Sequence, residues 1–204
     1  MAAAWIDRQY ADETFDEGDL SGTELRECHF ERCTFKGVYL DDVTTHNCVF
    51  TQCDFAGARF NGSEHQRSAF LNCKFRKANL FLCRFDGCKL TGTSFEEAKL
   101  DGMIVQGGDW SYVNLRHHSL QGLDLQGVRF AEAELYGCNL EKVNLRDADL
   151  TRANLQKARL SGADLRGANV EGVNLEVLDL LKVKLDLAQC VALARSHGAI
   201  VEFD

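Results

Sequence analysis

Apolar residues recur at every fifth position of this chain. From Phe15 to Leu185, 33 of the 35 such positions carry Phe, Leu, Val or Trp, and only Thr45 and His65 depart from the pattern. A second column of small apolar residues lies two positions earlier and contains eight of the nine cysteines. Because residues two apart point to the same side of a strand, both columns are predicted to face inward.

A period of five fits neither an α-helix nor a flat strand, so each pentapeptide is interpreted as a short strand followed by a corner. Of the 17 glycines, 14 lie two residues after the central apolar position. This is the third position of a turn that starts at the central residue, and a type II turn favours glycine there. The chain contains no proline, which fits a fold that needs nearly every backbone N–H for hydrogen bonding.

Like residues align when the chain is read at a period of twenty. Phe15, Phe35, Phe55, Phe75 and Phe95 form one column, and Leu100, Leu120, Leu140, Leu160 and Leu180 form another. Leucine runs alone would align at several periods, but the phenylalanine column favours four pentapeptides per turn. The predicted fold class is therefore all-β, a β-helix of square cross-section.

The segments ADLTR, ANLQK, ADLRG and ANVEG, between residues 148 and 172, resemble the pentapeptide-repeat family. The resemblance spans about residues 14 to 186 and implies a right-handed quadrilateral β-helix. Three regions are expected. Residues 1–13 are an N-terminal lead-in or cap, residues 14–185 form about nine coils without loop insertions, and residues 186–204 form a C-terminal helix and strand.

The five-residue pattern stops after Leu185, and the following segment predicts a helix with Asp186 as N-cap and Gly198 as its end. AIVEF, residues 199 to 203, predicts a short strand. A simple lid on the last coil needs fewer apolar residues than this ending carries, so a two-fold homodimer is inferred. Its predicted interface consists of Leu187, Cys190, Val191, Leu193, Ala194, Ile200 and Phe203.

This ending, together with SEHQRSAFLNCKF at 63 to 75 and QCVALARSHG at 189 to 198, resembles the MfpA/Qnr group of fluoroquinolone-resistance proteins, most of all its MfpA branch. The constant register leaves no room for the loops that Qnr proteins carry. The resemblance implies a rod-shaped dimer that mimics duplex DNA, binds DNA gyrase and modulates its inhibition by fluoroquinolones. The alternative is a pentapeptide-repeat scaffold with another partner.

Charge is distributed in bands along the chain, whose net charge is −8. Residues 65–92 carry six basic residues and one acidic residue, whereas the flanking regions are acidic. This composition argues against direct nucleic-acid binding, since phosphate binding requires cations. The candidate acidic residues for contact with a partner are Asp101, Asp109, Asp124, Glu141, Asp147 and Asp149.

No catalytic, cofactor-binding or metal-binding residues are predicted, and no small-molecule substrate is expected. Cysteine pairs such as Cys28 with Cys33 have the spacing of zinc ligands, but their inward positions favour small hydrophobic side chains that stay reduced. His117 and His118 are adjacent, yet a filled interior leaves no pocket for an active site. The chain is therefore expected not to be an enzyme.

Thr45 and His65, the two exceptions in the apolar column, are twenty residues apart. On the four-corner prediction they are vertical neighbours, and two interpretations stay open. The hydroxyl and the imidazole pair inside the coil, or one face is distorted outward.

The N-terminus has no positively charged region followed by a long apolar stretch, and no segment is long enough to span a membrane. A cytoplasmic protein without membrane contact is expected.

Overall fold

The computed structural model describes residues 4–202, which form two compact units, residues 4–114 and 115–202. Each unit consists of coils whose successive turns are joined by parallel pairing at a spacing of twenty residues. The predicted all-β solenoid with one C-terminal helix is confirmed. Four pentapeptides therefore make one coil, as the alignment of like residues predicts.

In the first unit, two faces of the coils form regular parallel sheets. One sheet has the order β1-β3-β5-β7-β9-β10 and the other the order β2-β4-β6-β8. The remaining two faces are joined by single bridges, such as Thr14 to Thr34 and Asp19 to Tyr39. The strands are β1 (Ala4–Ile6), β2 (Gln9–Ala11), β3 (Glu24–Arg26), β4 (His29–Glu31), β5 (Thr44–His46), β6 (Val49–Thr51), β7 (Glu64–Gln66), β8 (Ala69–Leu71), β9 (Arg84–Asp86) and β10 (Ile104–Gln106).

The core of the first unit is a set of stacked aromatic rings. Phe15, Phe35, Phe55, Phe75 and Phe95 follow one another with ring centroids 4.8 to 5.1 Å apart. This is the spacing of adjacent strands, so each ring lies over the equivalent ring of the next coil. The predicted phenylalanine column is confirmed.

The second unit repeats the four faces through single bridges, for example Asp124 to Asn144 to Asp164. Its core consists mainly of buried leucine and alanine. The corners adopt the predicted geometry in both units, because all 14 glycines at the third corner position have positive φ. Many non-glycine residues adopt the same φ there, including Asn72, Leu82 and Lys157. Glycine is therefore favoured at the corners but not required.

The regular coil is interrupted near its C-terminal end, where the sequence pattern continues unbroken. Leu175–Val177 form a short 3-10 helix, capped by the Asn174 side chain. The corner residue here is Val177, and a β-branched residue strongly resists positive φ. The inward small-residue position is occupied by the larger Leu178. The pentapeptide phase is kept, but the backbone departs from the coil.

Helix α1 (Leu187–Ser196) follows the last coil and begins as predicted at Asp186. The Asp186 carboxylate accepts hydrogen bonds from the Gln189 and Gly167 backbone N–H groups, and these bonds hold its pKa below the usual value. Gly198 ends the helix with a φ of +81°. The expected terminal strand is not formed by residues 199–202, because these residues make no ladder hydrogen bonds within the described chain.

Replacing Asp186 with alanine should lower the free energy of unfolding by about 1–2 kcal/mol, because two backbone donors lose their acceptor. Asp186→Asn is the comparison, since its one amide oxygen can still cap the Gln189 N–H while its amide nitrogen faces the Gly167 N–H, and it should cost about half as much. Urea unfolding at pH 7 measures both values. Equal losses in the two variants would show that the charge of Asp186 and its bond to Gly167, rather than the cap on Gln189, stabilise this end.

Candidate functional site

The C-terminal end carries most of the predicted dimer residues. Leu187 is 74% exposed and Ile200 is 89% exposed, the highest values among the large apolar side chains of the described residues. Cys190 is exposed, and Val191 and Ala194 are half-buried on the same helix. Leu193 is also half-buried, and Phe203 lies outside the described residues. The structure thus places an exposed apolar face at this end.

Gln189 attaches helix α1 to the last coil, and the sequence prediction missed it. It is the one residue of the helix that is buried, with 4% of its surface exposed. Its side-chain amide donates hydrogen bonds to the carbonyls of Leu165 and Ala168, and its oxygen accepts from the Asp186 N–H. The spacing of Asp186 and Gln189 is that of a capping box, which is the feature that could have revealed the residue.

A groove of about 690 Å³ separates helix α1 from the edge of the last coil. The small side chains Ala188, Ala192 and Ser196 form one wall. Residues 167–173 and Leu175 form the other. Cys190 and Ala194 each follow a groove residue, Ala188 or Ala192, by two positions. Two positions are slightly more than half a turn of a helix, so the Cys190 and Ala194 side chains lie on the opposite side of the helix from the groove.

Four of the predicted acidic residues lie in the second unit, and two of them come together. The Gln126 backbone N–H donates to the Asp124 carboxylate, and the Gln126 side-chain amide donates to Asp147 at 3.2 Å. Both carboxylates are exposed, and no cation lies within 4 Å of either among the described residues. Asp124 and Asp147 are here called the acidic pair.

The other two acidic residues of the second unit are neutralised by arginine. Asp149 lies 3.3 Å from Arg129, and Glu141 lies 3.2 Å from Arg159. The Thr151 hydroxyl donates to Asp149 and is the main cause of its lowered pKa. These two carboxylates present less net charge to a partner than the acidic pair.

Asp101 and Asp109 belong to the first unit. Asp101 is exposed, whereas Asp109 is half-buried and accepts hydrogen bonds from the backbone N–H and hydroxyl of Ser111. The basic band between residues 65 and 92 is also in this unit. It is partly neutralised, because Arg76 and Lys77 both approach Glu97. Sequence counting alone could not show this pairing.

Thr45 and His65 pair inside the coil, which decides between the two interpretations. Thr45 Oγ1 lies 2.9 Å from His65 Nδ1, and both side chains are almost completely buried. Ser63 Oγ lies 3.1 Å from His65 Nε2, and the Thr45 hydroxyl donates to Ser68 Oγ. A neutral imidazole has one donor and one acceptor nitrogen, so hydroxyl partners on both sides satisfy it. The sequence prediction missed Ser63 and Ser68, although both break the small apolar column.

Burial raises the pKa of six of the eight cysteines of the inward column. All nine cysteines are free thiols, and only Cys190 is exposed. Burial raises the pKa of Cys83 to about 12 and that of Cys48 to about 11.

Within residues 4–202, no three His, Cys, Asp or Glu side chains are grouped as a metal site requires. No helix in this part of the chain is long and apolar enough to cross a membrane.

Three family models match parts of the chain. The model described as pentapeptide repeats matches residues 144–176, and the model of a pentapeptide repeat region matches residues 78–151. A model of the SV2A/B/C luminal domain matches residues 6–81. No match was found among curated protein sequences.

Solved structures share the fold of this chain, among them a fluoroquinolone resistance protein and a pentapeptide-repeat protein. Trypsin-treated QnrB1, a plasmid-mediated fluoroquinolone resistance protein, aligns with a TM-score of 0.86 at 20% identity, covering 97% of this chain and 99% of that chain. HetL from the cyanobacterium Nostoc, involved in heterocyst differentiation regulation, aligns with a TM-score of 0.72 at 19% identity and covers 88% of each chain. The repeats, the four-faced coils and these matches agree that the chain has the pentapeptide-repeat fold, and residues 78–176 match models of pentapeptide repeats.

Proposed function

We propose that this protein binds DNA gyrase as a mimic of duplex DNA and modulates the activity of gyrase and its inhibition by fluoroquinolones. The observation that carries the proposal is the likeness of fold to QnrB1 over nearly the whole of both chains. QnrB1 is a plasmid-mediated fluoroquinolone resistance protein. The sequence resemblance to the gyrase-interacting group, including its C-terminal ending, supports the same partner.

The exposed carboxylates of the second unit are suited to binding a protein surface that normally binds DNA. A DNA-binding surface must present cations to phosphates, so a mimic must present fixed anions. Successive coils are about 4.8 Å apart, and Asp124 and Asp164 lie in one column two coils apart with Asn144 between them. The acidic pair supplies two anions that no arginine or lysine of the described chain neutralises. We therefore assign the acidic pair to the contact.

The proposed complex requires no catalysis by this protein. It acts in the cytoplasm by occupying a binding surface, and it functions as a homodimer joined through the C-terminal end. The exposed Leu187 and Ile200 support this dimer, since the two most exposed large apolar side chains of the described residues both lie at this end.

The test is a supercoiling and cleavage assay of purified gyrase, with and without this protein and with and without a fluoroquinolone. We expect inhibition of supercoiling and fewer drug-stabilised cleavage products when the protein is present. No change in any of the four arms would contradict the proposal and favour a scaffold with another partner. HetL, which shares the fold, is involved in heterocyst differentiation regulation and illustrates that alternative.

Neutralising the acidic pair should weaken the effect on gyrase. Asp124→Asn with Asp147→Asn is expected to raise the concentration for half-maximal inhibition about 10-fold, because two anions facing the partner are lost while their amide contacts can remain. The matched control is Asp149→Asn with Asp164→Asn, which changes net charge equally but removes carboxylates already paired with Arg129 and Arg166. Equal effects of the two double variants would mean that only total charge matters.

A further inference from the structure

Three large apolar side chains are exposed around one corner of the first unit. Phe81 is 48% exposed, Leu82 is 52% exposed and Ile104 is 44% exposed. The Leu82 side chain lies against Gly102, since a Cβ atom on that glycine would be 2.7 Å from Leu82 Cδ2, and Ile104 follows Gly102 by two residues. These three side chains, here called the apolar corner, expose on the order of 300 Å² of apolar surface, and patches of this size are often functional.

The repeat does not require apolar residues at these positions. The coils before and after Phe81 and Leu82 carry polar residues or glycine at the equivalent places, namely Asn61, Asp101, Gly62 and Gly102. About half of each of the two side chains faces water, so neither belongs to the packed interior of the coil. The folding of the coil therefore does not explain the apolar corner.

Leu82 also occupies a strained backbone conformation. Its φ of +57° lies in the left-handed region, which glycine adopts readily and a bulky side chain does not. Among the non-glycine residues of the described chain with positive φ, Leu82 is the only aliphatic one, and the others are polar, charged or aromatic. Backbone strain at an exposed apolar side chain does not help folding, so it indicates a contact with another molecule.

An exposed carboxylate connects the apolar corner to the proposed gyrase contact. Asp101, one of the acidic residues predicted to face a partner, takes the place of Phe81 one coil later. Its carboxylate forms no ion pair within the described chain. The Leu82 N–H donates to the Asp101 carbonyl at 3.0 Å, which holds the two residues side by side. Adjacent coils are about 4.8 Å apart, so a partner that reaches Asp101 also reaches Phe81 and Leu82.

Both signs of charge occur around the apolar corner. Arg84 pairs in register with Ile104 on one side and with Glu64 on the other. Its guanidinium donates to Gln106 Oε1 at 2.6 Å. An apolar centre with a polar and charged rim is the arrangement of a protein–protein interface. Duplex DNA presents a continuous line of phosphates and has no such surface.

We propose that the apolar corner anchors this protein in an apolar depression on the surface of gyrase. Phe81 and Leu82 enter the depression, and Asp101 pairs with a lysine or arginine at its edge. This inference rests on the proposed function and deepens it, because the anchor is a contact that DNA itself does not make. Anions attract many DNA-binding proteins, whereas an apolar contact of defined shape distinguishes one of them from the others.

The test replaces the anchor with residues that the neighbouring coils already carry. Leu82→Gly copies Gly102 and relieves the strain of the positive φ. Phe81→Asn copies Asn61, so both variants should fold. Gln52→Gly is the matched control, since Gln52 is an exposed corner residue with a φ of +54° and a polar side chain. Urea unfolding checks that each variant is at least as stable as the natural protein.

Surface plasmon resonance of purified gyrase on the immobilised full-length protein measures the dissociation constant. Leu82→Gly should raise it about 10-fold and Phe81→Asn with Leu82→Gly about 30-fold, because apolar area is lost from the contact. Gln52→Gly should leave it within about 2-fold. The factor lost by the Phe81 and Leu82 double variant should be the same at low and high salt, whereas the factor lost on neutralising the acidic pair should shrink as salt rises.

The inference fails on any of four results. Unchanged binding and inhibition of gyrase by the Phe81 and Leu82 double variant would reject the anchor and retain the proposed function. Equal losses in Leu82→Gly and Gln52→Gly would trace the effect to the corner backbone. A changed oligomeric mass of Leu82→Gly in light scattering would assign the apolar corner to a second copy of this chain. A natural protein that does not bind gyrase would reject the proposed function and the anchor together.

Discussion

Gly108→Ala is expected to destabilise the first unit more than a methyl group added at any of its corner glycines. A Cβ atom at residue 108 would lie 2.2 Å from the Cys88 carbonyl oxygen and 3.1 Å from the Cys88 nitrogen. Both are backbone atoms of the adjacent coil, so no side-chain rotation relieves the clash. Gly108 also has a φ of +100°, where alanine is strained. Together these effects should cost about 3 kcal/mol.

Gly107→Ala provides the matched control one residue away. Its φ of +62° is also left-handed, but no atom lies within 4 Å of the added methyl group. It should cost about 1 kcal/mol, the strain of the left-handed conformation alone. Urea unfolding of both variants at pH 7 measures the difference. Similar losses for the two variants would mean that the coil spacing adjusts locally, and would reject a rigid contact at Cys88.

The sequence pattern distinguishes these two glycines only in part. Gly107 occupies the third corner position, where the repeat predicts glycine from turn geometry. Gly108 occupies the inward small-residue column, where the pattern asks only for a small apolar side chain. The requirement at Gly108 arises from the approach of the Cys88 backbone across coils, and a repeat pattern does not contain that distance.

The period of twenty predicts that equivalent residues of successive coils stack on one another wherever the backbone follows the repeat. It therefore predicts the phenylalanine column and places Thr45 opposite His65. It does not predict the 3-10 helix at Leu175–Val177, because the apolar phase continues there while the corner residue Val177 strongly resists the corner conformation.

The sequence predicted which residues belong to the candidate site, but not which residues they contact. The ending after Leu185 revealed the helix and its apolar residues, since these depend on local pattern. The acidic residues could not be ranked from sequence, because their effective charge depends on partners in other coils. Arg129 neutralises Asp149 across twenty residues, whereas Asp147 has no cation near it among the described residues. Folding places these partners together.

His65 should make the stability of the protein depend on pH between about 7 and 4. Burial lowers the pKa of His65 to about 3, against 6.5 for an ordinary histidine, and the residue faces hydroxyls and aromatic rings rather than a carboxylate. The unfolded chain therefore binds a proton below pH 6.5 that the folded chain does not bind until about pH 3. Linkage then predicts that His65 costs about 3 kcal/mol of unfolding free energy between pH 7 and pH 4.

His65→Phe tests this expectation, because a phenyl ring can stack on Phe85 as the imidazole does at 5.0 Å. Thr45 and Ser63 keep hydrogen-bond partners in Ser68 and the Phe60 carbonyl, so the change at pH 7 should stay within about 1 kcal/mol. The variant should then lose about 3 kcal/mol less than the natural protein on going from pH 7 to pH 4.

Subtracting the two pH profiles isolates His65, since the carboxylates with lowered pKa values, such as Asp164 and Asp149, titrate in both proteins. His29→Phe, at an exposed position of β4, is the control and should retain the natural profile. Parallel profiles for the natural protein and His65→Phe would mean that the folded chain protonates His65 without cost. The imidazole would then not be held neutral by its burial in the coil.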